Sequence, residues 1–253
     1  MIRKSTLIVA LAAAMLFVGT SCDTIVTLDK PNVTYVAINA GGTLRLSWTA
    51  VTDAESYEIT TDDSTFTVTS TSFDVESPSA NIEVRAVNGN DKSDPYTIDC
   101  EVVETLTFEV YGTSDPDTTH RSAFGFGADG SMTSYSITQT NYPAMDFYAD
   151  DKNFTVMTLV NPGDQGWNAK GNAVAVATSV VYDDCTLAPP PGTYSTQQSI
   201  ANDGVYYLWL DRTNNGWDAT DNYAKAKVAS IQGPLVTLKV GYQKIAGLRW
   251  LAN

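Results

Sequence analysis

The sequence predicts an all-β protein built as two consecutive sandwiches. Three observations carry that expectation. Apolar and polar residues alternate in short runs along much of the chain, the signature of strands with one buried face. Clusters of Gly, Asn, Asp, Ser and Pro separate these runs as turns would. No window of helical length carries a clean 3.6-residue apolar period.

The chain opens on an export pattern. Arg3 and Lys4 supply a positive start, and residues 7–18 form an apolar stretch too short to span a bilayer as a stable helix. Gly19, Thr20 and Ser21 lead into Cys22. Residues 1–21 are therefore expected to be a signal peptide. Small residues before a cysteine at the end of an export signal resemble the bacterial lipobox. Gly19 stands where leucine is usual, as in the looser lipoboxes of Bacteroidetes-type lipoproteins. The resemblance implies cleavage before Cys22, lipidation of its thiol, and an address in the cell envelope, with the outer membrane expected. The acyl chains would hold the membrane, and residues 22–29 would form a short tether.

Composition narrows the partners. Asp and Glu number 29 against 15 Lys and Arg, a formal net charge of −14. An acidic surface repels phosphodiesters, so nucleic acid is not an expected partner. Beyond Cys22 the cysteines are Cys100 and Cys185. Two fates are open to them: a disulfide tying one unit to the other, or two buried thiols acting as small hydrophobes. With one histidine, His120, a His/Cys metal cluster is excluded by count.

Residues 30–103 form the first unit. Over 43–49, Leu44, Leu46 and Trp48 point inward while Arg45 and Ser47 point out. Over 56–60, Tyr57 and Ile59 share a face, and over 81–88 so do Ile82, Val84 and Ala86. Turn-rich joins lie at 40–42, 61–63, 76–79 and 88–91. The segments PNVTYV, LRLSW, AESYEI and IEVRAVNGNDKSDP are similar to a fibronectin type III module. The resemblance implies a seven-stranded sandwich with Trp48 in its core on the second strand and Tyr57 packed beside it. The family's tyrosine corner falls on Ala80, so the corner hydrogen bond is missing. Such modules serve as spacers or interaction platforms.

Residues 104–253 form the second unit. Strand-like runs fall at 106–111, 123–126, 133–138, 145–148, 154–160, 173–182, 205–210, 223–231, 235–242 and 248–251. Ten strands in this length predict a larger β-sandwich or jelly roll. A repeat lies inside it: NPGDQGWNAKGN (161–172) aligns without gaps to DRTNNGWDATDN (211–222). Each copy follows an apolar run, so the expected unit is one hairpin used twice.

The repeat places Trp167 and Trp217 in loops rich in Asn, Asp and Gly. A sugar's C–H face stacks on an indole while nearby amides and carboxylates take its hydroxyls. The candidate ligand-binding residues are therefore Trp167, Asn168 and Asp164 in one loop, and Trp217, Asp218 and Asn215 in the other. The alternative is that each tryptophan folds back and caps its strands. Asp211, Asn215, Asp218 and Asp221 also give the second loop a faint calcium-loop character. The closing bidentate Glu is replaced by Asn222 and the flanks are strands, so no metal is assigned.

Catalysis finds little support. His120 lies in DPDTTHRS near Asp117 and Ser122, with no nucleophile elbow beside it. No cofactor fingerprint is present. The favoured function is a binding or adhesion lipoprotein with a glycan ligand. Its layout of lipid anchor, spacer and sandwich resembles outer-membrane glycan-capture lipoproteins of Bacteroidetes. A structural or assembly subunit of a surface layer or fimbria, with a surface protein as partner, is the alternative. A hydrolase is a third and weaker one.

Overall fold

The computed structural model describes residues 27–252. The expected signal peptide, residues 1–21, and the expected lipidation site, Cys22, lie outside the described residues.

The first unit is a sandwich. One sheet holds β1 (Val33–Ile38), β2 (Thr43–Trp48) and β5 (Ser72–Val75) in the order β1-β2-β5. The other holds β4 (Thr65–Val68), β3 (Ser56–Thr60), β6 (Asn81–Asn88) and β7 (Asp91–Lys92), with β8 (Tyr96–Asp99) also on β6. Leu44, Leu46, Ile59, Ile82, Val84 and Ala86 are all buried between the sheets. Alternation on β2, β3 and β6 therefore places the core as the sequence indicates. Trp48 and Tyr57 pack edge to face at 5.2 Å, and the Tyr57 hydroxyl accepts the Val51 N–H at 2.8 Å. At Ala80, the position the resemblance assigns to a tyrosine corner, the Asp62 carboxylate clasps the backbone. It accepts the N–H groups of Ala80 at 2.6 Å and Asn81 at 3.3 Å.

The second unit is a larger antiparallel sandwich. One sheet contains β9 (Val103–Tyr111), β14 (Ala173–Val176), β16 (Val205–Leu210), β17 (Asn222–Gln232) and β18 (Leu235–Tyr242), ordered β14-β16-β17-β18-β9. The facing sheet contains β10 (Ala123–Phe126), β11 (Met132–Tyr135), β12 (Phe147–Asp150), β13 (Thr158–Val160) and β15 (Gln197–Ser199), ordered β11-β10-β12-β13-β15. Phe124, Phe147, Leu159, Leu208, Leu238 and Tyr242 belong to the interior between them.

The repeat is not a hairpin used twice. Residues 211–222 do join neighbours, β16 and β17. Residues 161–172 instead cross from β13 in one sheet to β14 in the other. Both edges of β13 are already filled, by β12 and β15, so the departing chain has no free edge to return to.

The last residues leave the second sandwich. Leu248 and Trp250 are fully buried in the first core, while Leu251 packs on the outer face of the second unit. The tail alternates like a strand, but its two faces serve two different cores. Polar bonds fix its path. The Trp250 indole N–H donates to the Gly42 carbonyl at 3.1 Å, and Arg249 Nε donates to the Ala40 carbonyl at 2.7 Å. The Gln243 amide donates to the Cys100 and Trp250 carbonyls at 2.9 and 2.8 Å. Glycine at position 41 lets the tail approach. Its φ is +80°, and a Cβ there would sit 2.2 Å from the Gly247 carbonyl oxygen.

Cys100 and Cys185 are both free and buried. Of the two fates open to them, the structure shows the thiols. Burial pushes the Cys100 thiol up to about 12, far from the range of a reactive thiolate.

Candidate binding loops

The two Gly-Trp loops share a local conformation built by equivalent residues. Each begins on an Asx side chain that gathers loop N–H groups. Asn161 Oδ1 accepts the Gly163 N–H at 3.1 Å. Asp211 accepts those of Asn214 at 2.6 Å and Gly216 at 3.1 Å. Each loop turns on a glycine of positive φ, +69° at Gly166 and +82° at Gly216, a backbone state that glycine adopts without steric cost. Each then closes an Asx turn two residues after the tryptophan's neighbour. Asn168 Oδ1 accepts the Lys170 N–H at 3.1 Å, and Asp218 Oδ1 accepts the Thr220 N–H at 2.6 Å.

The loops lie side by side, because β14 pairs with β16. The Gly171 N–H donates to the Asp211 carbonyl at 2.9 Å. Both converge on one buried carboxylate, Asp146, which is 0 % exposed. Lys170 Nζ reaches it at 2.8 Å from the first loop, and the Arg212 guanidinium at 2.9 Å from the second. The Asn172 amide and the Phe126 N–H also donate to it, at 3.2 and 2.8 Å. A buried charge is tolerable only when paired and hydrogen-bonded in this way. Asp146 is not among the sequence's candidate site residues. Its signal is a lone acid inside an apolar strand segment, AMDFY (144–148).

The tryptophans are both half-buried, and their surroundings differ. Trp167 lies flat on Tyr142, with ring centroids 5.1 Å apart and planes 11° from parallel. Tyr148 touches it at 5.0 Å. It thereby covers the outer face of the β10–β12–β13 sheet over Ala123, Met145 and Val160. Trp217 turns the other way. Its indole N–H donates to the Gly247 carbonyl at 3.2 Å, so it grips the C-terminal tail where that tail enters the first unit.

The flanking polar residues are spent within the protein to unequal degrees. The Asn168 amide donates to the Tyr142 and Met145 carbonyls at 2.9 and 3.1 Å. Asn215 and Asp218 bond each other at 3.1 Å, and hydroxyl and backbone donors from Thr220 hold the Asp218 carboxyl below its ordinary value. Asp164 is exposed and reached by Gln197 at 3.4 Å. Among the described residues, no group of three or more His, Cys, Asp or Glu gathers to hold a metal.

Asp221, at the end of the second loop, is fully buried. One oxygen accepts the Trp209 indole N–H and the Asp218 N–H, each at 3.0 Å. The other has no partner. Burial, with Asp211 and Asp218 nearby, pushes its carboxyl up to about 6. The folded chain therefore holds a proton that the unfolded chain releases near pH 4. The stability this contributes is present below about pH 4 and is lost as pH rises through about 6. Asp221→Asn keeps the acceptor and cannot ionise. Its melting temperature relative to the native chain is expected to climb between pH 4 and pH 7. A difference independent of pH contradicts the assignment.

His120 stacks on Tyr111 at 3.7 Å and bonds Asp115 through Nδ1 at 2.7 Å. Ser122 Oγ faces the Gly112 carbonyl at 3.5 Å instead. The other ring nitrogen of His120, Nε2, stands 3.7 Å from Asp117.

No protein-family model matches the chain, and no curated protein matches it. Solved structures that resemble part or most of it include the following two. One, described as "Structure of FN3tt mut", is 24% identical over 28% of this chain and 92% of its own, with a TM-score of 0.25. Another, a DUF4466 family protein from Parabacteroides merdae, is 9% identical over 87% of this chain and 99% of its own, with a TM-score of 0.42.

Proposed function

We propose that this chain is a structural or assembly module of the cell envelope, held to the outer membrane by lipid at Cys22 and without catalytic activity. Its work is to present a surface at a fixed distance and orientation from the membrane. The observation that carries this reading is the C-terminal tail, whose Leu248 and Trp250 fill one core while Leu251 joins the other. A flexible tether between modules needs no such weld. The tryptophan loops support the same reading: Trp217 grips the tail and Trp167 covers a sheet.

Glycan capture is the second reading. What favours it is the half-exposed Tyr142–Trp167 pair with Asp164 and Gln197 beside it, a stacking surface with polar neighbours. Titration of residues 23–253 with a polysaccharide panel, followed by tryptophan fluorescence, separates the two. The structural reading expects no saturable change. A saturable change abolished by Trp167→Ala, with the fold intact, moves the conclusion to glycan capture.

A further inference from the structure

The first sandwich carries an open cleft unused by anything described above. Among the described residues, strand β4 pairs only with β3, and β5 only with β2. Their free edges belong to opposite sheets and face one opening, a cavity of about 430 Å³. Phe66 from β4 and Phe73 from β5 meet across it with ring centroids 5.0 Å apart. Phe66 is 40 % exposed, and Val75 adds to the apolar lining.

Free strand edges are templates for another strand, and proteins usually blunt them with lysine, proline or a bulge. Each of these strands is four residues long; neither TFTV of β4 nor SFDV of β5 carries a lysine or a proline, and the one charge they hold, Asp74, is paired with Arg45. The rim is acidic. Asp63, Asp74 and Glu76 line the cleft. Arg45 engages Asp74 through two bonds of 2.7 Å, and no ion pair holds Asp63 or Glu76 among the described residues. The lining contains no lysine or arginine.

We infer that this cleft docks an extended basic segment of a partner protein, added as a strand to the β4 or β5 edge. Its apolar side chains would lie on Phe66 and Phe73, and its lysines or arginines would face Asp63 and Glu76. The charge selects the occupant. A second copy pairing edge to edge would set these carboxylates against themselves, on a chain of net charge −14. The inference rests on the assembly reading above for the existence of a partner, and adds where that partner docks and what chemistry it carries.

The probe is an eight-residue peptide of alternating lysine and valine, titrated into ¹⁵N-labelled residues 23–253. Three comparisons accompany it: a glutamate–valine peptide, the lysine–valine peptide with every amide N-methylated, and a neutral oligosaccharide. Saturable shifts confined to 63–67 and 72–76 are expected with the first peptide. Affinity is expected to fall at least about tenfold for each peptide control and for the double variant Phe66→Ala, Glu76→Lys. Phe66 is exposed enough that this variant should keep a native spectrum. Absence of saturation, shifts scattered over the acidic surface, equal binding of the N-methylated peptide, or capture of the oligosaccharide in the cleft overturns the inference. None of these outcomes bears on whether the tail welds the two units, so the assembly reading stands or falls separately.

Discussion

Replacing Trp250 with alanine is expected to cost about 3–5 kcal/mol, the usual penalty for emptying a large aromatic site in a packed core. The residue is 0 % exposed and its indole N–H holds the Gly42 carbonyl at 3.1 Å. The loss differs from an ordinary core truncation in where it acts. Trp250 sits near the end of the chain, in sequence far from the strands whose core it fills. The first unit should therefore loosen although none of its own residues has changed. Chemical denaturation of residues 23–253, with and without Trp250→Ala, measures the cost. Hydrogen exchange then places it: amides of β1 and β2 should lose protection, and those of β10 and β12 should not. A cost below about 1 kcal/mol, in the range of a surface substitution, contradicts the account.

Asp146→Ala is expected to cost a similar 3–5 kcal/mol by a different route. The carboxylate is buried and neutralises Lys170 and Arg212, at 2.8 and 2.9 Å. Removing it leaves two cations facing each other in a largely enclosed space and the Phe126 N–H short of an acceptor, while the Asn172 amide keeps the backbone carbonyl of residue 146 at 3.0 Å. Restoring an apolar match should recover part of the loss. The triple variant Asp146→Leu, Lys170→Met, Arg212→Met is expected to be more stable than Asp146→Ala alone, since a buried ion cluster contributes little over a packed apolar one. Urea titration of the three proteins decides this. If Asp146→Ala unfolds at the same midpoint as the native chain, the cluster does not hold the loops together.

Local pattern reached far into this fold. β3, β6, β10, β16 and β18 occupy the stretches where alternation or apolar runs are cleanest. β15 carries no such signal, because Gln197–Ser199 has no apolar face and is held by backbone pairing to β13. The likeness of the two Gly-Trp loops was legible, because Asx turns and a left-handed glycine are local chemistry. Their destinations were not. Whether a tryptophan covers its own sheet or grips a distant tail depends on which strand edges are already filled. That is a long-range fact about β13, which no window of the sequence contains. The tail illustrates the same limit. Leu248 and Trp250 read as one face of a strand, but nothing near them says that this face belongs to a core two hundred residues earlier in the chain.

The measurement closest to the central claim is a set of residual dipolar couplings on residues 23–253, compared with a chain ending at Lys244. One alignment tensor should fit both sandwiches of the longer chain, and two should be needed once the tail is removed. Two tensors in the longer chain would mean that the units move independently, and the tail would then be no weld.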